Sequence, residues 1–130
     1  MIVSNTGANF TFPRLGLNKK VTVEENTTLN VQFNISNHCE STHVLLDFIT
    51  IERPSKDQHG YETTRRICQF VHVNGSCSHG TSQCLCPADS TGLYTLVKTV
   101  DRSYNGTWTW SALPLVQKTH LDVIISCKYS

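Results

Sequence analysis

Six cysteines, Cys39, Cys68, Cys77, Cys84, Cys86 and Cys127, are the side chains in this sequence most capable of chemistry. Thiols support three roles: metal ligation, nucleophilic attack and disulfide formation. Cys84-x-Cys86, with His72, Cys77 and His79 nearby, has the donor types of a zinc site. A single residue between Cys84 and Cys86 is not the spacing of a zinc finger or knuckle, so no metal is expected. A nucleophilic pairing of Cys39 with His38 or His43 lacks the Gly-rich elbow and oxyanion turn that such chemistry uses. An even number of cysteines in a small domain reads instead as up to three disulfides in an oxidising compartment. Six cysteines allow more pairings than a sequence can decide among.

The other reactive types are scattered. Ten carboxylates run through the chain without the repeated spacing of a Ca²⁺ loop. Arg65-Arg66 reads as a solvated face rather than an anion site. With no convergent acid, base and nucleophile, no enzymatic role and no cofactor are expected. A net charge of +1 offers no polybasic footprint for nucleic acid or an anionic membrane. No apolar run approaches the ~20 residues of a membrane span. No basic-then-apolar leader opens the chain, so any leader or anchor is expected outside it.

Modification chemistry is better represented. Asn-x-Ser/Thr occurs five times, at Asn9, Asn26, Asn34, Asn74 and Asn105. At this asparagine, serine and threonine content, chance gives about two such triplets. The excess, with the cysteines, points to a glycosylated extracellular domain. An occupied site must face solvent.

Elements able to carry these residues follow from period-2 patterning. Leu29-Asn30-Val31-Gln32-Phe33-Asn34-Ile35 puts Leu29, Val31, Phe33 and Ile35 on one face and Asn30, Gln32 and Asn34 on the other. Leu93–Trp110 reads as an alternating strand, a polar corner from Asp101 to Gly106, and a second alternation, Thr107-Trp108-Thr109-Trp110. Residues 43–54 form a strand ending at Pro54, and 119–127 the last strand. Lys20–Val23 and Asn9–Pro13 are short strands, the latter at an edge because proline removes a ladder donor. Residues 55–92, with four of the six cysteines, are the least regular, and residues 1–8 carry no pattern. No 3.6-residue period persists, so one all-β domain over 1–130 is expected.

Two of these stretches carry a resemblance. LNVQFNIS and LYTLVKTVDRSYNGTWTW resemble strands B, E and F of an immunoglobulin-superfamily domain, nearest the variable type. That family usually shows Gly-x-Tyr-x-Cys after the corner. Here Gly106-x-Trp108-x-Trp110 puts a tryptophan where the cysteine would be, and Phe33 stands near the place of its partner cysteine. The resemblance implies an immunoglobulin-like β-sandwich with extra strands between C and E. Phe33 would face Trp110 across the ~10 Å between sheets in place of the usual disulfide. The family's core tryptophan is also absent, with Leu46 near its place. These departures are similar to those of divergent ectodomains, among them the membrane-distal domains of allorecognition receptors of colonial hydroids. Fibrinogen-related lectins of molluscs are another candidate relative.

In such a topology the B–C and D–E loops share one end. Cys39 is then within reach of Cys84 or Cys86, and Cys127, at the other end, within reach of Cys68 or Cys77. The resemblance implies a cell-surface domain that binds a like receptor in trans. The alternative is a secreted immune-type domain recognising foreign glycans or proteins. Family members commonly pair through the G-F-C-C′ face, so Leu45, Asp47 and Ile49, with Thr107 and Thr109, are the expected contact positions. A glycan on Asn105 would bias contact toward the other end of that face.

Overall fold

The structure is a computed structural model and describes residues 8–15, 18–37, 48–73, 76–79, 82–88, 92–113 and 118–127. Its strands are β1 (Ala8–Thr11), β2 (Lys20–Glu24), β3 (Thr27–Asn37), β4 (Phe48–Lys56), β5 (Glu62–Val73), β6 (Ser76–His79), β7 (Cys84–Leu85), β8 (Tyr94–Val100), β9 (Gly106–Leu113) and β10 (Lys118–Ser126). A 3-10 turn, Arg102–Tyr104, sits between β8 and β9. The strands make two sheets, ordered β1-β3-β8-β7 and β2-β10-β9-β4-β5-β6. β2 runs parallel to β10, and the other described pairs are antiparallel. The chain is a β-sandwich.

Alternation builds the core from both sides. In β3, Leu29, Val31 and Phe33 are buried, and their β8 neighbours contribute Tyr94, Leu96 and Val100. From the larger sheet come Ile49 and Ile51 of β4, Phe70 of β5, Trp108, Trp110 and Ala112 of β9, and Leu121, Val123 and Ile125 of β10. Because the side-chain period in a strand is two, each of these strands gives its other face to solvent. The polar residues Thr107, His120 and Asp122 occupy such outward positions.

Strand β4 differs from its expected limits. Its described part starts at Phe48 and runs through Pro54 to Lys56. Proline is tolerated because β9 pairs β4 only as far as Glu52, so Pro54 is in ladder register with β5 alone. The register shifts between Ile51 and Glu52, where Ile67 is the extra residue on β5. β4 keeps its alternation through the bulge, so Arg53 follows Ile49 and Ile51 on the inner side and its side chain is buried. The irregular stretch 55–92 supplies β5, β6 and β7, which complete the edges of both sheets.

Candidate recognition surface

The cysteines of the irregular stretch join the sheets. Cys68 of β5 is bridged to Cys84 of β7, and Cys77 of β6 to Cys86 just after β7. Both bonds run from the β5–β6 edge of the larger sheet to the β7 edge of the smaller one. The expected routes, Cys39 to Cys84 or Cys86 and Cys127 to Cys68 or Cys77, are therefore corrected. Those routes assumed partners at loop ends, whereas the bridged cysteines face one another across the sandwich. Cys127 follows β10, is exposed and is free. Cys39 lies outside the described residues. No cluster of three or more potential metal ligands occurs among the described residues. Two disulfides mark a protein of an oxidising, extracellular compartment, and no described helix is long and apolar enough to cross a membrane.

At the sandwich centre the structure brings Phe33 and Trp110 together, edge to face, with ring centroids 5.9 Å apart. Phe33 also lies parallel to Tyr94 at 5.2 Å and meets Phe70 edge-on at 5.9 Å. Phe12, just past β1, closes the other side of Trp110 at 5.1 Å. Trp110 Nε1 is buried without an acceptor among the described residues. Tyr94 reaches past this cluster to His72, with 2.8 Å between its hydroxyl and Nε2. Burial pushes the Tyr94 phenol above its ordinary value.

The corner between β8 and β9 is held by its own polar groups. Asp101 caps the 3-10 turn by accepting from the Ser103 backbone N–H and hydroxyl. Those two bonds hold its carboxyl below the usual range, and the nearby Arg53 and Lys98 charges act in the same direction. Trp108 Nε1–H donates to the Tyr104 carbonyl at 2.8 Å. The buried Arg53 guanidinium lies 4.2 Å from the centre of the Tyr104 ring, a cation–π arrangement.

The outward face of the six-stranded sheet is a broad open surface. Phe48 pairs in register with Val71 of β5 on one side and Leu113 of β9 on the other. Their neighbours Ile49, Phe70 and Ala112 are buried, so Val71, Phe48 and Leu113 form an outward apolar row across three strands. Phe48 is 37% exposed and Leu113 56%. Beyond the row, Val73 of β5 and Ile124 of β10 are also exposed, and polar pairs occupy the rest of the face. Thr107 donates to Asp122 Oδ1 at 2.8 Å, Thr109 sits beside His120, and Thr64 donates to Glu52 at 3.0 Å.

Of the expected contact positions, Thr107 and Thr109 lie on this outer face. Ile49 does not: it is fully buried. The outward set of β4 is Phe48, Thr50 and Glu52, one residue out of phase with the expectation, and a one-residue shift exchanges the faces. Leu45 and Asp47 lie outside the described residues. Phe48 was missed because Phe48-Ile49 gives two adjacent apolar residues and no phase. The buried neighbours on β5 and β9 settle it.

The sequons fall elsewhere. Asn9 is on β1 opposite Ser36, and Asn34 is half-buried on β3 between β1 and β8. Asn26 and Asn105 are exposed at one end of the sandwich, in the β2–β3 turn and the β8–β9 corner. Asn74 lies outside the described residues. Leu113 is at the far end of β9 from Asn105, about 26 Å away at roughly 3.3 Å per residue.

No family model and no curated protein matches the sequence. Among solved structures, the fold is similar to a chain from work on the structural basis of T cell specificity and activation by the bacterial superantigen toxic shock syndrome toxin-1. The TM-score is 0.54 at 13% identity, covering 92% of this chain and 100% of that one. At that identity the likeness is one of fold alone.

Proposed function

We propose that this chain is a variable-type immunoglobulin-like recognition domain of a cell-surface protein, binding a like copy in trans through its six-stranded sheet. Three features support the family reading. The order β1-β3-β8-β7 corresponds to strands A-B-E-D, and β10-β9-β4-β5-β6 to G-F-C-C′-C″. Trp108, two residues before the position of the missing cysteine, bonds back to the Tyr104 carbonyl as the family's corner tyrosine bonds to upstream backbone. Phe33 and Trp110 fill the space where that family's disulfide would lie. The reading keeps to the divergent ectodomains that the hydroid allorecognition receptors exemplify.

The observation that carries the binding role is the outward row Val71, Phe48 and Leu113. Exposed aromatic and aliphatic side chains rimmed by polar residues are the usual anchor of a protein contact. Both charge signs occur on the same face, with Glu52 and Asp122 against Lys118 and Arg66. An identical face turned by a two-fold axis therefore meets no net repulsion. A stable pair needs about 800 Å² per partner, and less where many copies supply avidity.

Beads coated with the domain should aggregate with one another, and Leu113→Asp should abolish aggregation while leaving the melting temperature within a few degrees. Wild-type beads that stay dispersed yet capture microbial surfaces would sink the homophilic reading in favour of a secreted immune-type domain.

A further inference from the structure

At the sequon-bearing end, a groove of about 880 Å³ opens between the tip of the β4–β5 hairpin and the β8–β9 corner. Its walls include Arg53, Ser55, Thr63, Arg65, Ser103 and Asn105. That volume is in the range of ligand-holding clefts. Hydroxyl and guanidinium groups supply the donors and acceptors that sugar hydroxyls take up. We propose that the groove seats a glycan carried by the domain itself, on Asn105.

Asn105 begins the triplet Asn105-Gly106-Thr107, is exposed, and is itself a wall of the groove. Its Oδ1 accepts from the Ile125 backbone N–H at 2.8 Å. That bond orients the amide and leaves Nδ2 as its unengaged end among the described residues. Its own backbone N–H is tied to the Arg102 carbonyl at 3.2 Å. The root of the glycan is thereby fixed at both backbone and side chain, so a first sugar has a defined direction of departure.

The middle residue of the triplet sets the geometry. Gly106 has φ +140, and a Cβ there would come 2.7 Å from Pro54 Cγ. Only glycine lets the corner approach β4 this closely. The close approach places Asn105 against the groove. Asn26, on the neighbouring β2–β3 turn, is not among the groove's walls, so its glycan would project into solvent.

Attachment forms a bond from Asn105 Nδ2 to the anomeric carbon of the sugar. The carbon–oxygen bond to a lipid-linked diphosphate donor breaks, the diphosphate leaves with the electron pair, and the amide gives up one proton. The inference rests on the extracellular reading above, and its test separates the two.

The domain is secreted from a eukaryotic cell and its glycopeptides are mapped by mass. The folded protein is then treated with an endoglycosidase that cuts within the glycan core. Release from Asn105 should be roughly tenfold slower than from Asn26, because a seated glycan must first leave its groove. Denaturation should erase the difference. Thr63→Ala combined with Arg65→Ala, both exposed on β5, should bring the Asn105 rate up to that of Asn26 in the folded protein. Equal rates in the wild type, or a bare Asn105 beside an occupied Asn26, overturn the inference alone. If every sequon is bare, the extracellular reading falls with it.

Discussion

Phe33 of β3 and Trp110 of β9 meet edge to face across the two sheets, 5.9 Å between ring centroids, both fully buried. The contact ties the second strand of one sheet to the third of the other and recruits Phe12, Phe70 and Tyr94 around it. A non-covalent joint of this kind holds the sandwich by packing. Its strength therefore depends on the volume of the rings rather than on redox state.

Trp110→Ala should cost roughly 3–5 kcal/mol, the range for truncating a fully buried aromatic. Denaturant unfolding of wild type and variant measures it directly. An unchanged midpoint would show that the two sheets are not joined through this residue. Trp110→Phe should cost less, because it keeps a ring against Phe33 and removes an indole N–H that has no acceptor among the described residues.

The covalent links lie away from that centre. The Cys68–Cys84 and Cys77–Cys86 bonds close segments with sequence separations of 16 and 9 residues at one edge of the sandwich. Replacing Cys68 and Cys84 together by alanine should lose about 2–4 kcal/mol, the usual effect of opening a loop of this size. The aromatic centre should persist, seen as an unchanged near-UV signal from Trp108 and Trp110. A peptide map that links Cys39 to Cys84 or Cys86 would contradict both the pairing and the predicted loss.

Asp101 makes a prediction on the acid side. The Ser103 hydroxyl and backbone N–H, bonded to its carboxylate, lower its pKa in the folded state. A depressed folded value means the stabilisation is present above the unfolded value, near ~3.9. It is lost as pH falls through the lower folded value. Asp101→Ala should thus lower the melting temperature at neutral pH, and the gap to wild type should close in strong acid. A gap of constant size from neutral to strongly acidic pH would mean the charge plays no part in the corner.

Much of this architecture was legible because it rests on alternation. Leu29, Val31 and Phe33 bury as their spacing dictates, and so do Trp108 and Trp110. Phe33 facing Trp110 could be expected because the resemblance puts both at the places of the family's inter-sheet cysteines. The disulfides were not legible. Cys68, Cys77, Cys84 and Cys86 sit where strands are short and chain reversals frequent, and pairing there depends on how β6 and β7 fold back. The contact face was half legible. Thr107 and Thr109 follow the phase of the tryptophans, but β4 offers a run of apolar residues whose phase only its neighbours settle. The groove beside Asn105 joins residues about fifty positions apart in sequence, so no local pattern announces it.

On the alkaline side the informative group is Tyr94. Its ring is stacked on Phe33, its hydroxyl lies 2.8 Å from His72 Nε2, and burial raises its pKa above the ordinary tyrosine value. The sign follows from which form the fold prefers. The neutral phenol is favoured in the folded state, so its contribution is fully present below the unfolded value near ~10. It is lost as pH rises through the higher folded value. In a phenolate absorbance titration, one tyrosine should ionise late, together with unfolding. Tyr94→Phe should remove that late step and shift alkaline unfolding to higher pH relative to its own stability at neutral pH. If the late step survives in Tyr94→Phe, the delayed phenol is another tyrosine and the buried Tyr94 environment is not what resists base.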